Sequence, residues 1–237
     1  MAAPLTPPSD TQTAPPPSIY VTALGQLLSL VQNGELDRFI TAAEDVDLSG
    51  PEADTSRLLV ASPLALAYLA RDDVPPARFA LTRLPESLKS NGVASHTFRL
   101  VASAADRNHP NVYARSQVLR EFVATPVGLG DADQDFTQIV TLLLEIFLER
   151  FRKRAFNLVS KSYTSIPLAL AQSYLGLSEE KLIADTTQAG WQFVDGVFTP
   201  TVATQTTQTT QAFVSRPSTV KTFDQVVKAV AQLESFA

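Results

Sequence analysis

The sequence predicts a mainly α protein in which paired helices lead into a winged helix with a short β-hairpin, followed by one C-terminal helix. Three observations carry this prediction. Apolar residues recur at three-to-four spacing through most of the chain from Ile19 onward. The stretch SYTSIPLALAQSYLGLSEEKLIADTTQAGWQFVDGVFTP, residues 162–200, reads as helix, tight turn, helix and hairpin. Beyond a Thr/Gln-rich segment, residues 217–237 regain a helical period.

The first 18 residues contain six Pro and almost no large apolar side chain, so they are expected to form a flexible or polyproline-like tail. Residues 19–133 form the helical-repeat part. Within it, IYVTALGQLLSLVQNGELDRFITAAEDV is two helices broken at Asn33-Gly34. Ser62 and Pro63 read as an N-cap and first-turn pair for a helix running to Arg71. Asp72 and Asp73 turn the chain, and PPARFALTRL opens the next helix with proline at its start. SHTFRLVASAADRN and NVYARSQVLREFVA predict two further helices separated by His109-Pro110. The GLG of TPVGLGDADQD follows a helix and lacks the third glycine of a dinucleotide fingerprint, so it is read as a loop.

Residues 134–200 combine a long helix with the winged helix. FTQIVTLLLEIFLERFRKRAFNLVSKSY has 28 residues without Gly or Pro, consistent with one long helix or two end to end. Leu144, Phe147, Leu148, Phe151, Ala155, Leu158 and Val159 share its apolar face. Arg150, Lys153, Arg154 and Lys161 share another, read either as a solvated face or as a docking stripe for an acidic partner protein. Ile166 and Pro167 are expected to start the next helix, which Gly176 ends in a left-handed conformation. Ser178 caps the helix that follows, with Leu182, Ile183 and Thr186 inward, and Gly190 ends it. The Asp195-Gly196 turn pairs Val194 with Val197 and Phe193 with Phe198. Trp191 alternates onto the face of Phe193, so Trp191, Phe193 and Phe198 are the expected core of the wing.

Residues 201–216 form a Thr/Gln linker, and residues 217–237 a docking helix. On that helix Phe223, Val226, Val227, Val230 and Leu233 fall within an arc of about 120°, a partner-binding stripe on a segment too short to be stable alone.

Composition limits the function. The net charge of −5 gives no general attraction to phosphate. In a DNA-reading winged helix the third helix supplies cations and amides to the major groove, whereas here Glu179, Glu180, Asp185 and Asp195 face Lys181 alone across residues 165–200. The module is therefore expected to bind protein and no nucleic acid. Without cysteine there is no disulfide, thiolate nucleophile or thiolate metal site. His96 and His109 form no His-x-His pair, and the sequence lacks HExxH, a G-x-S-x-G elbow and a Walker loop. They are read as ordinary surface or satisfied residues, with no metal or cofactor expected. No apolar run approaches 18 residues, and the start of the chain lacks a basic-then-apolar leader, so a soluble intracellular protein with no membrane partner is expected.

Helical hairpins followed by a winged helix are the plan of the PCI domain, shared by subunits of the proteasome lid, the signalosome and translation initiation factor three. Within that family, LALAYLARDDVPPARFALTRLPESLKS, RKRAFNLVSKSYTSI and YLGLSEEKLIADTTQAGW resemble the eighth subunits of the COP-nine signalosome, over roughly residues 60–200. The Pro-rich start, the GLGDADQD insertion and the Thr/Gln linker depart from the shorter animal members. The resemblance implies a non-catalytic scaffold subunit, found in cytoplasm and nucleus. Its implied partners are other PCI-domain subunits and a bundle of C-terminal helices from several chains. The complex removes a ubiquitin-like modifier from cullins through a separate zinc metalloprotease subunit. Proteasome-lid and initiation-factor subunits are the nearest alternatives. A winged-helix DNA-binding regulator and an undetected enzyme are remoter ones.

Overall fold

Capping and turn residues set several of the helix ends in the computed structural model, which describes residues 18–125 and 132–200, although Ser178 precedes its helix without a side-chain cap. Ser18 accepts a hydrogen bond from the Tyr20 amide at 3.4 Å to begin α1, Ile19–Gln32, and its hydroxyl donates to Asp54. Gly34, at φ 73°, turns the chain into α2, Leu36–Ser49. The Asp54 carboxylate accepts from the Ser56 amide at 2.8 Å and opens a 3-10 turn, Thr55–Arg57. That turn runs directly into α3, Leu58–Arg71.

This start corrects the sequence reading of Ser62 and Pro63, which lie in the second turn of α3 rather than at its beginning. Proline there removes the amide that would donate to the Leu59 carbonyl. Burial explains why the helix tolerates it: every residue from Leu58 to Ala70 is buried, so α3 is the central post of the fold. A helix apolar on all sides gives no wheel pattern to mark its first turn.

Against this post pack α4, Val74–Thr82, and α6, Gly92–Ala105, while the single turn α5, Glu86–Lys89, and α7, His109–Ala124, pack on α6. Asn91 and Asn108 cap α6 and α7 through side-chain oxygens that accept from the Val93 and Asn111 amides. Pro110 sits in the first turn of α7 instead of in the break before it. Beneath α3, Asp47 at the end of α2 forms a buried ion pair with Arg57, Nε to Oδ1 at 2.7 Å, and also accepts from Arg83. The Asp47 contact holds the Arg57 guanidinium above its ordinary range against the opposing effect of burial.

The long apolar run is a single helix, α8, Ala132–Ser162, about 46 Å long at 1.5 Å per residue. It belongs to two cores. Phe136, Ile139, Val140, Leu143, Leu144 and Phe147 pack with α1, α3 and α7 in the helical-repeat core. Ala155 and Val159 pack in a second core with Ile166, Ala171, Leu175, Leu182, Trp191 and Phe198. A division at residue 134 thus places on the winged-helix side a helix whose first half packs in the repeats.

The winged helix is completed by α9, Leu168–Leu175, α10, Glu179–Gln188, and a three-stranded antiparallel sheet. Its strands are β1, Ile166–Pro167, β2, Trp191–Val194, and β3, Val197–Pro200, in the order β1-β3-β2. Ile166 and Pro167 are therefore strand, not the start of a helix, and pair with Phe198 and Val197. The hairpin joins Phe193 to Phe198 and Val194 to Val197, the register required by a two-residue turn with φ of 52° at Asp195 and 78° at Gly196.

No helix among the described residues is long and apolar enough to cross a membrane. The Pro-rich tail, the first half of the GLGDADQD insertion, the Thr/Gln linker and the C-terminal stripe of Phe223, Val226, Val227, Val230 and Leu233 lie outside the described residues, while the second half of that insertion, residues 132–135, opens α8 instead of lying in a loop.

Candidate protein interface

The helical repeats and the winged helix meet at an aromatic junction built on α7, α8 and α9. Tyr113 donates its hydroxyl to the Tyr174 carbonyl at 2.8 Å, and Arg152 donates Nε to the Leu175 carbonyl at 3.2 Å. Two orphan carbonyls at the end of α9 are thereby satisfied, and a cation sits at the negative end of a helix. The Arg152 guanidinium lies 5.3 Å from the centre of the Tyr113 ring. Burial pushes the Tyr113 phenol up to about 12. His109 bridges the same cluster, 5.1 Å from Phe151 and edge-on to Tyr174 at 5.2 Å. Burial lowers its pKa below the ordinary imidazole value, so it is a neutral aromatic member of the junction at pH 7.

The wing is seated by its aromatics. Trp191 is 6% exposed and packs on Phe156 of α8 at 5.1 Å. Phe198 is fully buried against Trp191, and Phe193, half-buried, stacks on Phe198 at 4.6 Å. Leu182 and Thr186 are the buried positions of α10, which leaves Glu179, Glu180, Lys181 and Asp185 at the surface. The exposed face of the third winged-helix element is thus acidic, unsuited to a phosphate backbone.

The four basic residues of the expected docking stripe on α8 have different surroundings. Arg154 is tied back to the end of α3, 3.3 Å from the Asp72 carboxylate and 3.5 Å from the Leu69 carbonyl. Arg150 shares a cleft with Glu35 and Asp37 at the turn between α1 and α2. Lys153 shares another with Glu149 and Asp185. Lys161 is exposed near the end of the helix. Leu158, assigned from the wheel to the buried face, is instead 54% exposed. The second core bends the buried line of α8 onto Ala155 and Val159, and Leu158 is left outside it.

His96, read as an ordinary surface or satisfied residue, is half-buried beside Phe122, and its Nδ1 has no hydrogen-bond partner among the described residues. No group of His, Asp and Glu suited to a metal occurs among the described residues. Arg152, Tyr113 and Tyr174 were not singled out from sequence. Only Gly176 signalled the junction, as a helix end without a visible partner.

The family model described as the CSN8/PSMD8/EIF3K family matches residues 57–211, more than half of the chain. The chain belongs to this family. Among its relatives is the COP9 signalosome complex subunit 8 of Dictyostelium discoideum, 30% identical over 128 residues, which are 54% of this chain and 57% of that protein. The proteins of the same name from Xenopus tropicalis and Danio rerio are 25% and 24% identical, over 63% and 68% of this chain and 69% and 78% of their own lengths. The CSN8/PSMD8/EIF3K match begins at Arg57, so it takes in the second core and the part of the first built by α3 to α8, while α1 and α2, which also contribute to the first core, precede it.

Proposed function

We propose that this chain is a non-catalytic structural subunit of the COP-nine signalosome, the complex that removes a ubiquitin-like modifier from cullins, in cytoplasm and nucleus. The observation that carries the reading is that relatives sharing 24–30% identity over 54–68% of this chain all bear the name of the eighth signalosome subunit. The chemistry is consistent with holding and positioning. Buried charges such as Arg57 and Asp47 tie helices to one another, and the junction residues Tyr113 and Arg152 fasten two modules. Its partners are other PCI-domain subunits, reached through the folded region and through a C-terminal helix joining a multi-subunit bundle.

Proteasome-lid and initiation-factor subunits are the second reading, because the family description itself includes them. A DNA-binding role is disfavoured by the acidic face of α10.

Incorporation tests the assembly role. Val227→Asp with Val230→Asp places two charges in the apolar stripe, where each large apolar side chain stabilises association by roughly 1.5 to 3 kcal/mol before ordering costs. The double variant is expected to melt like wild type in residues 19–200 and to enter the complex poorly at matched expression. Recovery equal to wild type would refute the docking role.

A further inference from the structure

We propose that the trough between α4, the α6–α7 corner and α8 is a docking groove for an acidic amphipathic helix of another protein. The trough holds about 790 Å³, the size of a site that accepts a few large side chains. It is lined by Phe79, 63% exposed, and Leu158, 54% exposed, together with Val74 and Phe151. Two exposed large apolar side chains from different helices that line one trough mark an interaction surface rather than scattered exposure.

Charge specifies the occupant. Arg78, Arg107 and Arg154 stand at the trough, and Asp72 is its one acid, engaged with Arg154 at 3.3 Å. Arg78 and Arg107 pair with no carboxylate among the described residues. On a chain of net charge −5, this is a local excess of two positive charges around an apolar floor. A helix with an apolar stripe and flanking Asp or Glu meets both requirements.

The backbone supplies an independent observation. Arg107 follows the end of α6 with φ of 52°, and Asp72 ends α3 with φ of 72°. Both are left-handed positions where glycine is the usual residue. Two of the three non-glycine residues with positive φ among the described residues therefore line this one trough. Strain of this kind gathers at binding sites. The position of Arg107 is one that folding alone would fill better with glycine, and its cation is what glycine would not provide.

The test uses the full-length chain and two synthetic 16-residue helical peptides, read by fluorescence anisotropy. Both carry leucine at i, i+3, i+4 and i+7; one is flanked by glutamates, the other by lysines. The glutamate peptide is expected to bind at least tenfold more tightly than its lysine twin. Arg78→Glu with Arg107→Glu should weaken it at least tenfold, and Leu158→Ser should weaken it severalfold. Arg107→Gly should melt no lower than wild type and still bind at least threefold more weakly, which separates a docking cation from a structural one. Equal binding of the two peptides, or wild-type affinity in Arg107→Gly, would overturn the proposal. Tighter peptide binding by Val227→Asp with Val230→Asp would show competition from residues 217–237 of the same chain. Self-association abolished by Leu158→Ser would show a second copy. Either result would also overturn it.

Discussion

Tyr113 lies across the backbone of Gly176 so closely that a Cβ on the glycine would stand 2.4 Å from the tyrosine ring. Helix α7 of the repeats and the end of α9 in the winged helix thus meet without a side chain between them. Gly176 has φ of 60°, so alanine there is disfavoured twice, by conformation and by contact. Gly176→Ala is expected to cost at least about 2 kcal/mol in urea unfolding. Adding Tyr113→Ala should be less than additive, because the second change removes the clash created by the first. Strict additivity would mean that the two residues do not constrain each other.

The buried ion pair makes a separate prediction about the repeats. Asp47 and Arg57 have side chains only 1% and 5% exposed. Asp47→Ala leaves the Arg57 guanidinium buried and unpaired, at a cost of roughly 3 to 5 kcal/mol. Asp47→Leu with Arg57→Met should recover most of that loss. A chemical denaturation series of the three variants checks the ordering.

Trp191→Ala empties the seat of the wing between Phe156 and Phe198 and should destabilise the winged helix by roughly 3 to 5 kcal/mol. An unchanged melting temperature would place the indole outside the core.

His109 gives the fold a pH dependence whose sign follows from its depressed pKa. Above the unfolded value near 6.5 the imidazole is neutral in both states, and the junction keeps its full stability. As pH falls below that value the unfolded chain takes up the proton first. Stability is then lost until the folded value is passed. His109→Phe should flatten this part of the profile between pH 7.5 and 5 in thermal melts. An unaltered profile would assign the acid sensitivity to other groups.

What the sequence made legible was local. Asp195-Gly196 announces its hairpin and register, Gly176 and Gly190 announce helix ends, and Asn33-Gly34 announces a break, because each depends on the backbone freedom of one or two residues. What it concealed depends on partners distant in the chain. Ile166 and Pro167 are strand only because β3 lies beside them, and two residues carry no periodicity. The start of α3 was hidden because Ser62-Pro63 imitates a cap within a helix buried on every side. Leu158 obeys the wheel of α8 but falls outside both cores, and Arg154 left the basic stripe for Asp72, 82 positions earlier. The candidate trough was invisible for the same reason. Phe79 and Leu158 each look like ordinary core positions until the fold places them across one opening.

The assembly role is tested most directly by affinity purification of the tagged full-length chain from cells of its own source, with quantitative mass spectrometry of what accompanies it. Recovery of the other signalosome subunits in near-equal amounts is the predicted result. Recovery of proteasome-lid or initiation-factor subunits in their place, or of the chain alone, would contradict it.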